Sequence, residues 1–274
     1  MMPSDGNSDK LRNGRFAWLL LAAITWCGGF MAFVFVVRIL SSLIGPAAGA
    51  FVSSMVCMAV AFLSIWILTK GWFHFYEAVG LFVLGAAINL LVYNVFSGLA
   101  ARLVVGFSLI TAGYGMGALL ARMVESVRYI VPMCAVATIA DIWSVIAGPT
   151  RKIIESESRI ALQHAFVVYP AAAGASEIQP VAGVTDLVFV ALFLCLASRL
   201  GLDVRRAALG MFAGLAAGLA IASLVGGVPG IPFLAAGFVV TSWKDVRPGR
   251  KEIITTATFI AVMLAIFAAV WVLR

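Results

Sequence analysis

The stretch GVTDLVFVALFLCLA, residues Gly183–Ala197, determines which class of protein this chain can form. Apart from Thr185 and Asp186, it is apolar enough to be a membrane-spanning helix. A second stretch of the same kind, CAVATIADIWSVIAG at Cys134–Gly148, contains Asp141. An acidic residue at membrane depth costs roughly 2.5–3.5 kcal/mol on insertion scales. Two such residues therefore indicate a function at membrane depth.

The whole chain has the composition of a membrane protein. Of its 274 residues, 63% are hydrophobic and 11% are charged, with a mean hydropathy of +1.09. The apolar runs are long and continuous rather than alternating, which favours helices over a β-barrel. The four cysteines lie in these runs without a CxxC pair or a Cys/His cluster, so neither disulfides nor a zinc site are expected. The sequence predicts an all-α polytopic membrane protein.

Nine apolar segments are predicted to be spanning helices. They cover Phe16–Val37, Ala47–Thr69, Ala78–Phe96, Leu103–Ala121, Tyr129–Gly148, Ala182–Ser198, Val204–Val225, Pro229–Trp243 and Ile254–Leu273. The polar residues 1–15 are predicted to form a disordered tail. The rest divides into a four-helix portion at 16–121, a second portion at 129–243 and an additional C-terminal helix at 254–274.

The basic residues divide unevenly between the two sides of these predicted helices. Thirteen of the 19 Lys and Arg residues fall in the N-terminal tail and in alternate connections, and six fall on the other side. The positive-inside rule then places the N-terminus in the cytoplasm and the connection at residues 149–181 outside. The net charge of +7 is accounted for by this topology, so no nucleic-acid partner is expected.

Asp141 and Asp186 are the only two of the twelve acidic residues that fall within predicted spans. They lie on consecutive, antiparallel helices, about 10 Å and about 6 Å below the same membrane face. If those helices pack side by side, the carboxyls can share one proton, activate water and protonate a leaving nitrogen. One such acid can also cap a broken helix. On this reasoning alone, both proteolysis and ion transport stay open.

Other sequence patterns concern backbone structure. In GGVPGIPFLAAG, Gly226–Gly237, two prolines three residues apart cannot begin as a regular helix, although a plain loop is the simpler interpretation. AFVVY, at 165–169, has the composition of a strand, and an ordinary loop is an equal alternative. GYGMG at Gly113–Gly117 and the spacing of Gly210, Gly214 and Gly218 predict faces where helices pack closely.

Three of these motifs, in this order, resemble those of the presenilin and signal peptide peptidase family of intramembrane aspartyl proteases. ADIW supplies Asp141, GVTD supplies Gly183 and Asp186, and PGIP supplies Pro229–Pro232. The resemblance covers about residues 129–243. Departures from the family pattern at Ala140, at Thr185 and at Gly230 with Ile231 indicate a divergent prokaryotic member, located in the cell membrane.

The resemblance implies an endopeptidase that cleaves single-span transmembrane helices in the lipid bilayer. It implies Asp141 and Asp186 as the catalytic residues, no cofactor and no metal, and a strand near AFVVY that pairs with the unwound substrate. The substrate would be positioned by Gly183, Thr185, Pro229, Gly230, Ile231 and Pro232. The alternatives are a proton- or cation-coupled transporter that uses the same two acids, and a catalytically inactive homologue that binds membrane helices.

Overall fold

The computed structural model describes residues 5–44, 46–95, 98–146, 166–170, 178–225 and 228–272. Within these ranges, each of the nine segments predicted to be helical overlaps with one α-helix. The helices are α1 Asp5–Ile44, α2 Pro46–Lys70, α3 Phe75–Val95, α4 Leu99–Met123, α5 Ile130–Ile146, α6 Val184–Arg199, α7 Val204–Val225, α8 Ile231–Thr241 and α9 Arg250–Val272. A 3₁₀ turn at Val127–Tyr129 precedes α5.

Six helices in the described part of the chain are long and apolar enough to cross a membrane. The segments are Gly14–Phe35, Ala48–Lys70, Phe75–Val92, Ala100–Met123, Val127–Ile146 and Val204–Leu224. With so many apolar helices, the chain is a polytopic membrane protein of predominantly α-helical structure. Helix α8 has 11 residues, which is shorter than the segment predicted at Pro229–Trp243.

Residues 5–15, which the sequence predicts to belong to a disordered tail, are part of helix α1 in the structure. Helix α1 begins at Asp5 and runs for 40 residues, so the polar residues continue the helix of the first span. The physical reason is the cooperativity of helix formation. Once a span is helical, each added residue gains one backbone hydrogen bond without a new nucleation step. Residues 1–4 lie outside the described part.

The chain divides into two compact units. Unit 1 consists of Met1–Leu120 and Gln163–Cys195, and unit 2 consists of Ala121–Leu162 and Leu196–Arg274. Two of the three boundaries fall inside α4 and α6, and the third lies outside the described residues. The portion at 129–243 that the sequence indicates as presenilin-like is therefore divided, because the segment that carries Asp186 belongs with the first helices of the chain.

Helix α4 contacts three other helices of unit 1. Trp26 of α1 donates its Nε1–H to the Leu103 carbonyl oxygen of α4 at 2.9 Å. Gly115 lies so close to α3 that a Cβ there would collide with the α3 backbone. A Cβ at Gly113 or Gly117 would collide with α6. The prediction that GYGMG is a packing face is therefore confirmed.

In unit 2, α8 packs against α7 and α5, and α9 packs against α5. The contact of α7 with α8 depends on small residues. A Cβ at Gly210 would collide with the Gly237 carbonyl oxygen, and one at Gly214 or Gly218 would collide with Phe233. The predicted packing role of these three glycines is confirmed, and it brings the α8 backbone unusually close to α7.

A two-stranded antiparallel sheet precedes α6 in unit 1. Strand β1, Phe166–Pro170, pairs with β2, Ile178–Gly183, and Phe166 lies opposite Gly183. The strand predicted from AFVVY is thus confirmed at Phe166–Tyr169. Because β2 ends at Gly183 and α6 begins at Val184, the sheet leads directly into the helix that carries Asp186.

Candidate active site

Asp141 lies on α5, five residues before the last residue of that helix, and is partly exposed. Its Oδ2 accepts a hydrogen bond from the backbone N–H of Ile231, with an N···O distance of 3.0 Å. Ile231 is the first residue of α8, which packs against α5 in unit 2. The first of the two acids and the PGIP motif, which are 90 residues apart in sequence, are therefore neighbours.

The PGIP motif forms the start of α8. Pro229 and Gly230 precede the helix, Gly230 is its N-cap residue with φ −84° and ψ −34°, and Pro232 is in the first turn. The first backbone N–H groups of a helix have no partner within the helix, and Gly has no side chain that could accept from them. Asp141 supplies the acceptor for the N–H of Ile231. A carboxylate on another helix thus caps α8.

Asp186 is the third residue of α6. Its Oδ2 accepts a hydrogen bond from the backbone N–H of Gly183 at 2.9 Å. An acidic residue in the first turn that reaches back in this way caps its own helix and suits the positive end of the helix dipole. Helix α6 was expected to begin at Ala182. It begins at Val184 because strand pairing with Phe166 continues through Gly183.

Gly183 has little room for a side chain. A Cβ there would lie 3.3 Å from Thr185 Oγ1 and 3.5 Å from Asp186 Oδ2. Gly183 is buried, whereas Thr185 is exposed. In GVTD, the backbone therefore approaches the Asp186 carboxylate closely at Gly183. The side chain of Thr185 lies at the protein surface.

The two acids belong to different units, Asp186 to unit 1 and Asp141 to unit 2. In each unit, the carboxylate accepts a hydrogen bond from a backbone N–H at the start of a helix. That hydrogen bond orients one oxygen of each carboxyl group. Each acid therefore makes the contact of a helix cap within its own unit.

The donors that hold these acids could not be identified from the sequence. Gly183 and Ile231 act through backbone N–H groups, which every residue except proline has, so the residue type carries no signal. The one available signal was the interruption of the helix by two prolines, which leaves a helix start without local capping. Within the described ranges, no three His, Cys, Asp or Glu side chains gather in a group that could hold a metal ion.

The fold and these contacts define an integral membrane protein of several apolar helices, in which one acid caps a short broken helix and another caps the helix that follows a hairpin. Comparisons with protein-family models, with characterised proteins and with solved structures find no match.

Proposed function

We propose that the protein is an intramembrane aspartyl endopeptidase, a hydrolase with nine transmembrane helices in a presenilin-like arrangement. Asp141 and Asp186 would form its catalytic dyad. The observation that carries the proposal is the hydrogen bond between Ile231 N–H and Asp141 Oδ2 at 3.0 Å. It joins two of the three motifs on which the family resemblance depends, and nothing in their separation along the chain requires them to meet.

The chemistry needs one carboxylate and one carboxylic acid. Two carboxyls a few Å apart share one proton, because like charges at that distance do not both ionise. The carboxylate takes a proton from water as the water oxygen attacks the peptide carbonyl carbon, while the carboxylic acid polarises the carbonyl oxygen. Proton transfer to the nitrogen then lets the C–N bond break, which yields a carboxylic acid and an amine.

The hairpin supports a role in holding an extended substrate. A transmembrane helix must unwind before its peptide bonds can be attacked, and its backbone groups then need new partners in a medium without water. Among the described strands, β1 pairs only with β2, so its second edge can accept another strand. Because β1 lies opposite Gly183, a strand added there would run close to the acid-bearing end of α6.

The membrane orientation forms part of the proposal. The N-terminus faces the cytoplasm of a prokaryotic cell, and the connection at residues 149–181, which contains β1, faces outward. The substrates are single-span helices whose cleavage site lies near that outer face.

The decisive test uses purified protein in liposomes with a set of labelled single-span peptides, and identifies products by mass spectrometry. Asp141→Asn and Asp186→Asn keep the shape of each side chain and remove its acidity. Asp245→Asn, in an exposed turn, is the matched control. We expect cleavage by the wild type and by the control, and a loss of at least about a thousandfold in each of the other two variants.

Substantial cleavage by either Asp141→Asn or Asp186→Asn would contradict the dyad. If the wild type cleaves no peptide but takes up a solute under a proton or cation gradient, and both acids are needed for uptake, the transporter replaces the protease.

A further inference from the structure

Lys70, the last residue of α2, is held between two tryptophan rings. Its Nζ lies 5.6 Å from the ring centroids of both Trp18 and Trp66. An ammonium at this distance is attracted by the negative faces of the rings. Lys70 is exposed, and no carboxylate in the described part of the chain forms an ion pair with it. Two rings therefore fix the position of this charge, and no carboxylate of the described residues neutralises it.

Arg15, on the adjoining helix α1, has a different environment. Its NH1 donates to Glu77 Oε1 at 2.8 Å and to Oε2 at 2.9 Å, and its NH2 lies 2.8 Å from His74 Nε2. The Arg15 side chain is only 15% exposed. The charge of Arg15 is thus balanced inside unit 1, whereas that of Lys70 faces outward.

The turn that follows Lys70 and the first two residues of α3 together carry three exposed aromatic side chains. Trp72 is 50% exposed, Phe75 54% and Tyr76 85%. Trp72 also has a φ of +41°, in the left-handed region that bulky residues rarely adopt. A large, half-exposed aromatic side chain favours an interfacial environment over water. Tryptophan and tyrosine have that preference at the headgroup level of a bilayer.

We infer that Lys70 binds the headgroup of an anionic phospholipid, and that Trp72, Phe75 and Tyr76 hold the α2–α3 turn at the headgroup level beside it. The ammonium is positioned by two rings and needs a counter-ion. An anionic lipid supplies a phosphate without the balancing cation of a zwitterionic headgroup. One lysine near a membrane surface contributes about fivefold to the binding of an anionic lipid.

Native mass spectrometry of the full-length protein tests this, because it resolves the first bound lipid and does not depend on proteolysis. Phosphatidylglycerol and phosphatidylcholine are titrated separately into wild type, Lys70→Gln, Lys70→Arg and Lys244→Gln. Lys244 is an exposed lysine of unit 2 and serves as the matched control. We expect the affinity for the first phosphatidylglycerol to fall about fivefold in Lys70→Gln and in no other variant. The affinity for phosphatidylcholine should be unchanged in every variant.

Equal phosphatidylglycerol binding by Lys70→Gln and wild type would overturn the inference. A loss in Lys244→Gln as large as that in Lys70→Gln would do so too, because it would indicate bulk charge rather than a site. If Lys70→Arg retains phosphatidylglycerol binding, the weaker binding by Lys70→Gln results from the lost positive charge and not from lost packing. Inorganic phosphate is added to the detergent-solubilised wild type as a further arm. Thermal stabilisation by phosphate equal to that by phosphatidylglycerol would assign the site to a soluble anion instead.

Discussion

At the scale of single residues, Asp141 has a structural contact that is independent of any chemistry. The carboxylate satisfies the Ile231 N–H at the start of α8, where Gly230 offers no side-chain acceptor. An asparagine retains an oxygen for that hydrogen bond but has no acidic proton, whereas an alanine has neither. These two substitutions therefore separate capping from catalysis.

Asp141→Ala should lower the free energy of unfolding by about 1 kcal/mol, the usual cost of removing a helix cap, while Asp141→Asn changes it by less. Both should abolish proteolysis. Thermal unfolding in detergent and peptide cleavage in liposomes measure the two effects. Equal stability of the alanine variant and the wild type would show that the Ile231 hydrogen bond contributes nothing to the fold.

The dependence of the cleavage rate on pH should be bell-shaped. A dyad that works with one shared proton is inactive when both carboxyls are protonated and again when both are ionised. The measurement is kcat/KM from about pH 4 to pH 9, under conditions where chemistry limits the rate. A rate that stays flat over this range would exclude the shared-proton mechanism.

At the scale of helices and strands, the sequence predicts which elements form and which faces pack together better than it predicts the residues at which each element begins and ends. AFVVY forms a strand and the spaced glycines form contact faces, because β-branched residues and small residues act through their own shapes. The start of α6 was misplaced because the Gly183 backbone pairs with Phe166, a contact set by the sheet and not by local composition.

Gly117→Ala should destabilise the protein by about 1–3 kcal/mol, the usual cost of overpacking. Its Cβ would lie 2.7 Å from both the Ala191 Cβ and the Leu192 backbone nitrogen of α6. Gly80→Ala is the control, since a Cβ at Gly80, in α3, would have no neighbouring atom within 4 Å. That change should be neutral or stabilising by up to about 1 kcal/mol. Similar unfolding midpoints for both variants would disprove the close contact of α4 with α6.

Replacing Pro229 and Pro232 together by alanine should reduce cleavage sharply while both acids remain. Without the prolines, helical structure can extend back from Ile231, favoured by several kcal/mol of local propensity. The backbone N–H of Ile231 would then donate to a carbonyl oxygen within the helix rather than to Asp141. Pro248→Ala, in the connection before α9, is the control. Unchanged cleavage by the double variant would remove the PGIP motif from the proposed site.

At the scale of the whole molecule, composition was sufficient to identify a helical membrane protein, because a bilayer admits few backbone arrangements. The division into two units was not predictable from order along the chain. Helix α6 belongs with the first helices because Gly113 and Gly117 of α4 contact it closely, and strand β2 of the hairpin contacts α2; both contacts are properties of tertiary packing.

The predicted orientation can be tested with single cysteines and a membrane-impermeant maleimide on intact cells. Ser158→Cys, in the connection at 149–181, should react with the reagent, and Ser126→Cys should react only after the membrane is opened. The natural cysteines are replaced first, because Cys27 is exposed. The reverse labelling pattern would invert the topology and place the connection inside the cell.

The shortness of α8 has a consequence for the surrounding bilayer. The 11 residues of α8 span about 16 Å, which is near half of a hydrocarbon core of about 30 Å. The turn that follows α8 contains the exposed charged residues Lys244 and Asp245. One response to such hydrophobic mismatch is local thinning of the bilayer, which would bring headgroups and solvent closer to Gly230. For the proposed hydrolase, water is the second substrate, so we expect the acyl-chain length of the host lipids to control turnover.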